Sequence, residues 1–218
     1  MYGFGPIRAK VLAVRIIPRV NPFMKETLGL PDEHASLGML TLTSDDVGYA
    51  AVDEATKKAN VRVAYAKSFY AGASHASGPL SGEFIGMLSA PDPAEVESGL
   101  RAAISFAEND ACFWAADRDG ATAFFAQCIS STGSYLSGVN GIPEGAPLAY
   151  LIAPPLEAMY ALDVALKAAN VRMTSFFGPP SETNFAGAHL TGTQADCQAA
   201  CDAFADAVIS VAGAPVRW

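Results

Sequence analysis

The two halves of the sequence are diverged copies of each other, and this duplication limits the folds open to the chain. The tetrapeptide Ala-Asn-Val-Arg at residues 59–62 recurs at residues 169–172, which is 110 positions later. The same register runs without a gap over about residues 36–62 against residues 146–172. An internal repeat of this length indicates two structural units built on one plan.

A second block repeats 101 positions apart, so that Gly86 matches Gly187. In both copies this block leads into a helix, which is opened by Asp92 in the first half and by Thr193 in the second. Both side chains are suited to cap free backbone N–H groups, and an acid follows each of them three residues later. Apolar residues then recur at spacings of four, four and three, which is typical of one buried helix face.

The pattern of each half predicts a strand, a helix, two strands and a second helix, with one further strand before them. In the first half we expect strands at about residues 11–17, 36–42, 61–69 and 82–89, and helices at about 45–59 and 93–108. In the second half we expect strands at about residues 123–129, 146–152, 171–177 and 184–190, and helices at about 155–169 and 194–211. The sequence therefore predicts two α/β (α+β) domains, residues 1–112 and residues 113–218.

The composition excludes several classes of protein. Hydrophobic residues make up 51% of the chain and charged residues only 17%, so intrinsic disorder is excluded and burial of surface against other protein is favoured. The net charge of −8 argues against nucleic acid as a partner, because a phosphate backbone requires a basic face. No uncharged run is apolar enough to span a membrane, and the first residues lack the pattern of a secretory signal. We expect a cytoplasmic protein with no membrane partner.

Four cysteines occur, and none of them forms a CxxC pair. They are Cys112, Cys128, Cys197 and Cys201. We interpret them as small apolar core residues of a reducing cytoplasm, with a metal or redox role as the alternative.

Three acidic residues stand at positions that suit a binding site. Asp45 and Asp46 are adjacent at the start of a predicted helix, where N-capping and the helix dipole account for one of them. The other acid is then available for a second role, because consecutive residues point in different directions. Glu83 opens a predicted strand at the position where the second copy has Asn184. An acid that differs between the copies is a candidate for a function of one half only, and a solvated strand end is the alternative.

The histidines give no strong indication of a metal site. His34, His75 and His189 show no HxH or HExxH spacing. A site made of His34 and the three acids remains an alternative, and so does a metal-dependent hydrolase built on those acids. No nucleophile elbow or phosphate-binding loop follows a predicted strand, so we assign no catalytic residue.

The sequence Leu-Lys-Ala-Ala-Asn-Val at residues 166–171 resembles the signature of bacterial microcompartment shell domains, and residues 53–61 are similar. Further matching strings lie at residues 36–38, 44–47, 70–73, 132–137, 153–158, 179–184 and 190–192. The chain resembles in particular the tandem-domain, trimeric shell proteins of ethanolamine-utilising compartments. The resemblance covers about residues 7–212 and departs at residues 109–122 and at both ends.

This resemblance implies two tandem, circularly permuted shell domains, each with a ferredoxin-like mixed sheet and helices. It implies a homotrimer shaped like a hexagon, and the duplication agrees, because three chains of two similar domains can mimic a six-membered ring. Such trimers tile with other shell proteins into a layer around an enzyme-filled compartment. They are not enzymes, and no cofactor is expected. A trimeric small-molecule sensor that builds no shell is the main alternative function.

The resemblance also implies two kinds of pore. Small pores between the two domains of each chain bind ethanolamine, whose ammonium group suits carboxylates and an aromatic face. The residues that match this ligand site are Asp45, Asp46, Glu83, Phe113 and Thr183. A gated central pore passes bulkier molecules, although its two segments would otherwise be interpreted as surface loops. The residues expected to line it are Tyr70, Ala71, Gly72, Ala73, Ser74, His75, Phe177, Gly178, Ser181, Glu182, Asn184 and Phe185.

Overall fold

A computed structural model of the chain describes residues 2–69 and 78–216. These residues form two compact units. The N-terminal unit comprises residues 9–69 and 78–111 together with Gly133–Leu136. The C-terminal unit comprises residues 2–8, Cys112–Thr132 and residues 137–216, so the chain passes between the units after Arg8, Ala111, Thr132 and Leu136.

The two units contain strands and helices in similar order. The strands are β1 (Pro6–Ile7), β2 (Val11–Ile17), β3 (Ser36–Leu42), β4 (Arg62–Ser68), β5 (Phe84–Ala90), β6 (Phe113–Ala115), β7 (Ala123–Ile129), β8 (Leu148–Ala153), β9 (Arg172–Phe177) and β10 (Ala186–Thr191). The helices are α1 (Pro22–Thr27), α2 (Asp45–Lys58), α3 (Pro93–Asn109), α4 (Ser134–Asn140), α5 (Pro155–Ala168) and α6 (Gln194–Gly213). The two copies of strand, helix, strand, strand and helix that the sequence predicts are confirmed, each with a strand before it.

The sheets of the two units share one strand order. In the N-terminal unit the four strands are arranged β2-β3-β5-β4. In the C-terminal unit the sheet runs β1-β6-β7-β8-β10-β9, so its last four strands repeat the order of the first sheet. The short strands β1 and β6 extend the second sheet at one edge. The sequence repeat is therefore also a repeat of topology.

Every strand pair among the described residues is antiparallel, which corrects the expectation of mixed sheets. The physical reason is the position of β5. Helix α2 carries the chain from β3 to β4, and such a crossover leaves two strands parallel. The hairpin strand β5 then inserts between them and is antiparallel to both. Strand β10 does the same between β8 and β9.

Both faces of the N-terminal sheet are covered. Helices α2 and α3 pack against β3 and β5 on one face, where Leu40 and Phe84 are buried. Residues of a strand alternate between the faces, and Leu37 accordingly packs on the other face, with Val20 and Leu30 from the segment between β2 and β3. This two-sided burial holds β3 and the start of α2 in place.

The C-terminal sheet carries α5 and α6 on one face. Its core includes Leu151 and Leu190 from the sheet and Leu162 and Phe204 from the helices. All four cysteines are free thiols, of which Cys128 is partly exposed and the other three are buried. This is the burial expected of small apolar residues. No helix in the described ranges is long and apolar enough to cross a membrane.

Candidate functional site

Asp45 and Asp46 begin helix α2, and both side chains are buried. The N-cap of this helix is Ser44, which has extended backbone angles, so neither aspartate occupies the capping position that the sequence suggested for one of them. The hydroxyl of Ser44 is also buried and makes no hydrogen bond within the described part of the chain. Both carboxyl groups thus lie in the first turn, at the positive end of the helix dipole, where acidic side chains interact favourably with the helix.

Glu83 is the residue before β5, and its backbone is fixed on both sides. Its N–H donates to the carbonyl of Leu42 at 2.9 Å, and its carbonyl accepts from the N–H of Phe69 at 3.0 Å. The preceding residue, Gly82, has a φ of +64°, and a Cβ there would lie 2.0 Å from the Leu42 carbonyl oxygen. Only glycine fits this turn. The turn fixes the backbone position from which the Glu83 side chain extends.

The acids of the N-terminal unit interact electrostatically. Burial raises the pKa of Glu83, and the negative charge of Asp45 raises it further. The structure therefore brings Glu83 close to Asp45, and Asp46 is the next residue of the same helical turn. Two carboxyl groups close together in a partly buried region, Asp45 and Glu83, repel each other and favour binding of a cation.

Phe113 and Thr183 belong to the C-terminal unit. Phe113 lies in β6, and its ring packs against Phe125 at a centroid distance of 5.3 Å and against Phe185 at 5.9 Å. Thr183 lies in the loop between β9 and β10, where its hydroxyl is 3.5 Å from that of Ser181. The N–H of Ser181 donates to the carbonyl of Phe185 at 2.7 Å. The loop thus links Thr183 to the aromatic cluster of Phe113 through Ser181 and Phe185.

The candidate pore residues fall into two groups. Residues 70–75 (Tyr70, Ala71, Gly72, Ala73, Ser74 and His75) lie outside the described residues. In the second segment, Phe177 ends β9, and its ring packs against His189 at 4.9 Å and Tyr150 at 6.4 Å. Phe185 packs against Phe113, as described above. Gly178, Ser181, Glu182 and Asn184 form the loop between these two rings, and Asn184 has a φ of +66°.

The histidines of the described residues have structural partners. Nδ1 of His34 lies 2.8 Å from the hydroxyl of Ser89, and burial lowers the pKa of His34. Nδ1 of His189 lies 2.9 Å from Oδ1 of Asn140. Within the described ranges, no group of three or more His, Cys, Asp or Glu residues is arranged to hold a metal ion. The alternative of a metal site formed by His34 and the three acids therefore gains no support.

Sequence reasoning missed a buried contact in the N-terminal unit. The carboxylate of Asp53, on α2, accepts hydrogen bonds from the N–H groups of Gly133 at 2.7 Å and Leu136 at 2.8 Å. Burial raises the pKa of Asp53, and these two N–H donors oppose that rise. Beside it, the rings of Tyr49 and Tyr135 stack at a centroid distance of 6.3 Å. The sequence repeat matches Asp53 with Asp163. An acid shared by both copies is the sequence signal that could have identified this position as a structural contact.

Comparison with known proteins identifies the family. Residues 36–116 match the BMC domain. The bacterial microcompartment shell protein EutL of Clostridium perfringens is 59% identical over 212 residues, which cover 97% of this chain and 98% of that protein. The chain belongs to the EutL family of bacterial microcompartment shell proteins. It is a structural component of a microcompartment shell and not an enzyme.

Solved structures agree with the EutL family and with the fold. The crystal structure of the ethanolamine utilization protein EutL from Leptotrichia buccalis is 62% identical, with a TM-score of 0.96 and full coverage of both chains. The trimeric shell protein PduB is 18% identical, with a TM-score of 0.74 over 94% of this chain and 89% of PduB. At that identity PduB supports the shared fold alone.

Proposed function

We propose that this chain forms a homotrimer that tiles with other shell proteins into a layer, with small pores that bind ethanolamine and a gated central pore. The observation that carries the proposal is the shared strand order of the two units, β2-β3-β5-β4 and β7-β8-β10-β9. Because each chain contains two units with the same strand order, three chains together contain six similar units. Head-to-tail contacts between such units close into a ring.

Ethanolamine binding draws support from the chemistry of the acidic cluster. Burial and the charge of Asp45 raise the pKa of Glu83, and an ammonium group close to Asp45, Asp46 and Glu83 would relieve the repulsion between Asp45 and Glu83. Phe113 offers an aromatic face for the same cation, and the hydroxyl of Thr183 is a partner for the ligand hydroxyl. The relative from Leptotrichia buccalis is itself called an ethanolamine utilization protein.

The central pore would be lined by residues 70–75 and by the loop that follows β9. Closure by Phe177 or Phe185 would require their rings to leave the aromatic contacts that they make within the C-terminal unit. Loops at the axis can move without disturbing the packed sheets. Ligand in the small pores would shift the gate only if it bound the open and closed forms with different affinity.

The assembly is tested by native mass spectrometry and electron microscopy. We expect a species of about 68 kDa, three times the chain mass of 22.6 kDa, and flat sheets at high concentration. Discrete trimers that bind ethanolamine but never associate laterally would favour the sensor instead. A monomer under all conditions would contradict both functions.

The ligand site is tested by calorimetry with two amines. We expect Glu83→Gln to weaken binding of ethanolamine and of ethylamine, which has the ammonium group but no hydroxyl. Thr183→Val should weaken ethanolamine binding and leave ethylamine binding unchanged. Glu108→Gln, at an exposed position of α3, is the control. Unchanged ethanolamine affinity in Glu83→Gln would remove Glu83 from the site.

A further inference from the structure

Helix α5 of the C-terminal unit presents an apolar face to solvent. Leu156, Met159 and Tyr160 are 66%, 45% and 54% exposed. These residues are spaced three and four positions apart, so they lie on one side of the helix. Three large exposed side chains on one helix face are typical of a surface that another protein covers.

The corresponding helix of the N-terminal unit shows what covers such a face. Met159 matches Tyr49 of α2 in the 110-position repeat, and the ring of Tyr49 stacks on Tyr135. Asp163 matches Asp53, whose carboxylate binds the backbone of Gly133 and Leu136. Helix α2 is therefore covered by the short segment Gly133–Leu136, which α5 lacks.

The covering segment has a counterpart elsewhere in the chain. It includes the start of α4, which begins five residues after the end of β7, and α1 likewise begins five residues after the end of β2. Strands β8 and β3 then both begin nineteen residues after those same strand ends. By this spacing α1 corresponds to α4, and Phe23 and Met24 correspond to Tyr135 and Leu136.

The counterpart segment exposes its apolar side chains in the described part of the chain. Phe23 is 75% exposed and Met24 is 43% exposed, whereas Leu136 is buried. In the described residues, α2 thus packs against its covering segment, whereas α5 and the counterpart of that segment both expose apolar side chains. Both exposed surfaces are apolar. In the repeat, they correspond to the two surfaces that are in contact within the N-terminal unit.

We propose that α1 of one copy docks on α5 of a second copy, with Phe23 packed against Met159 and Tyr160. This inference rests on the proposed homotrimer and specifies the surfaces that join its chains. The contact is head-to-tail, because α1 and α5 are different surfaces. Each chain therefore offers one of each, and three such contacts close the ring.

The contact is tested by cross-linking the double variant Phe23→Cys, Met159→Cys with a short bis-maleimide. Both single variants and the unmodified chain, whose own cysteines are buried or partly buried, are the controls. We expect covalent dimers and trimers from the double variant and none from the controls. Cross-linking of Met159→Cys alone would instead indicate that α5 packs on α5 and would overturn the proposal.

Native mass spectrometry of the same samples separates this inference from the proposed function. A native trimer without cross-links would overturn the α1–α5 contact and leave the trimer standing. A monomeric unmodified chain would overturn both.

Charge substitutions provide a second measurement that does not depend on the cross-linker. We expect Phe23→Glu and Tyr160→Glu each to weaken the trimer at least about 30-fold, because each places an unpaired charge among buried aromatic contacts. Val216→Glu, at an 85% exposed position, should leave the trimer intact. Circular dichroism checks that the monomers remain folded, and trimers that tolerate both substitutions would contradict the contact.

Discussion

The carboxylate of Asp53 and the backbone of Gly133 lie in contact although 80 positions separate them in the chain. The N–H of Gly133 donates to Oδ2 of Asp53 at 2.7 Å. A Cβ on Gly133 would lie 2.6 Å from the Asp53 carbonyl oxygen and 2.2 Å from the hydroxyl of Thr56. The close approach of this backbone therefore requires glycine, and the hydrogen bond requires an acceptor at position 53.

Replacing Asp53 should destabilise the protein strongly. Asp53→Ala leaves the N–H groups of Gly133 and Leu136 without their acceptor in a buried region, which costs about 2–4 kcal/mol of unfolding free energy. Urea denaturation at fixed protein concentration measures the loss. Asp206→Ala, an exposed aspartate of α6, is the control and should change stability by less than about 0.5 kcal/mol. An equal effect of both substitutions would contradict this account of Asp53.

Most of the fold could be predicted from the sequence, because its main elements are long enough to show a period. Strands β2, β3 and β7 have the expected bounds, and α2 and α5 end within one residue of theirs. The short elements β1, β6, α1 and α4 contain two to seven residues. Two or three residues are too few to show the period of a strand, and six or seven are too few to show the period of a helix, so sequence periodicity missed these elements.

The candidate site could be predicted only in part. The sequence placed Asp45 and Asp46 at a helix start and Glu83 at a strand start, and the structure has them there. It did not identify Ser44 as the N-cap, because aspartate and serine are almost equally good at that position. Contacts such as Tyr49 with Tyr135 depend on how distant segments pack, and no local pattern encodes that.

The buried His189 should make stability depend on pH. Burial lowers its pKa from 6.5 to about 3, and Oδ1 of Asn140 accepts the proton on Nδ1. Because the folded pKa is depressed, the contribution of the neutral ring is complete above the unfolded pKa and is lost as the pH falls from about 6.5 towards 3. Urea denaturation at pH 7 and pH 5 measures the free energy of unfolding. We expect it to fall by about 2 kcal/mol less in His189→Gln than in the unmodified chain between these two pH values. Equal losses in the two proteins would show that His189 does not take up a proton on unfolding.

The thiols should react slowly in the folded protein. Burial raises the pKa of all four cysteines, to about 11 for Cys128, and the thiolate is the reactive form. With a chromogenic disulfide reagent at pH 8, we expect at most the partly exposed Cys128 to react within minutes, and all four thiols to react in denaturant. Fast reaction of two or more thiols in the folded protein would contradict the burial of Cys112, Cys197 and Cys201.

The proposed ethanolamine site predicts that affinity falls in mild acid. The ammonium group binds the ionised form of Glu83, and burial together with Asp45 raises the pKa of that carboxyl above its ordinary value. As the pH falls through this raised pKa, Glu83 becomes protonated and its attraction for the ligand is lost, whereas ethanolamine keeps its charge. Calorimetry at pH 7.5 should give an affinity about 10-fold or more higher than that of Glu83→Gln, because a charge-assisted hydrogen bond contributes about 1.5–3 kcal/mol. The difference between the two proteins should shrink steadily towards pH 4.5. A constant difference across this range would mean that Glu83 acts on the site without contacting the ligand through its charge.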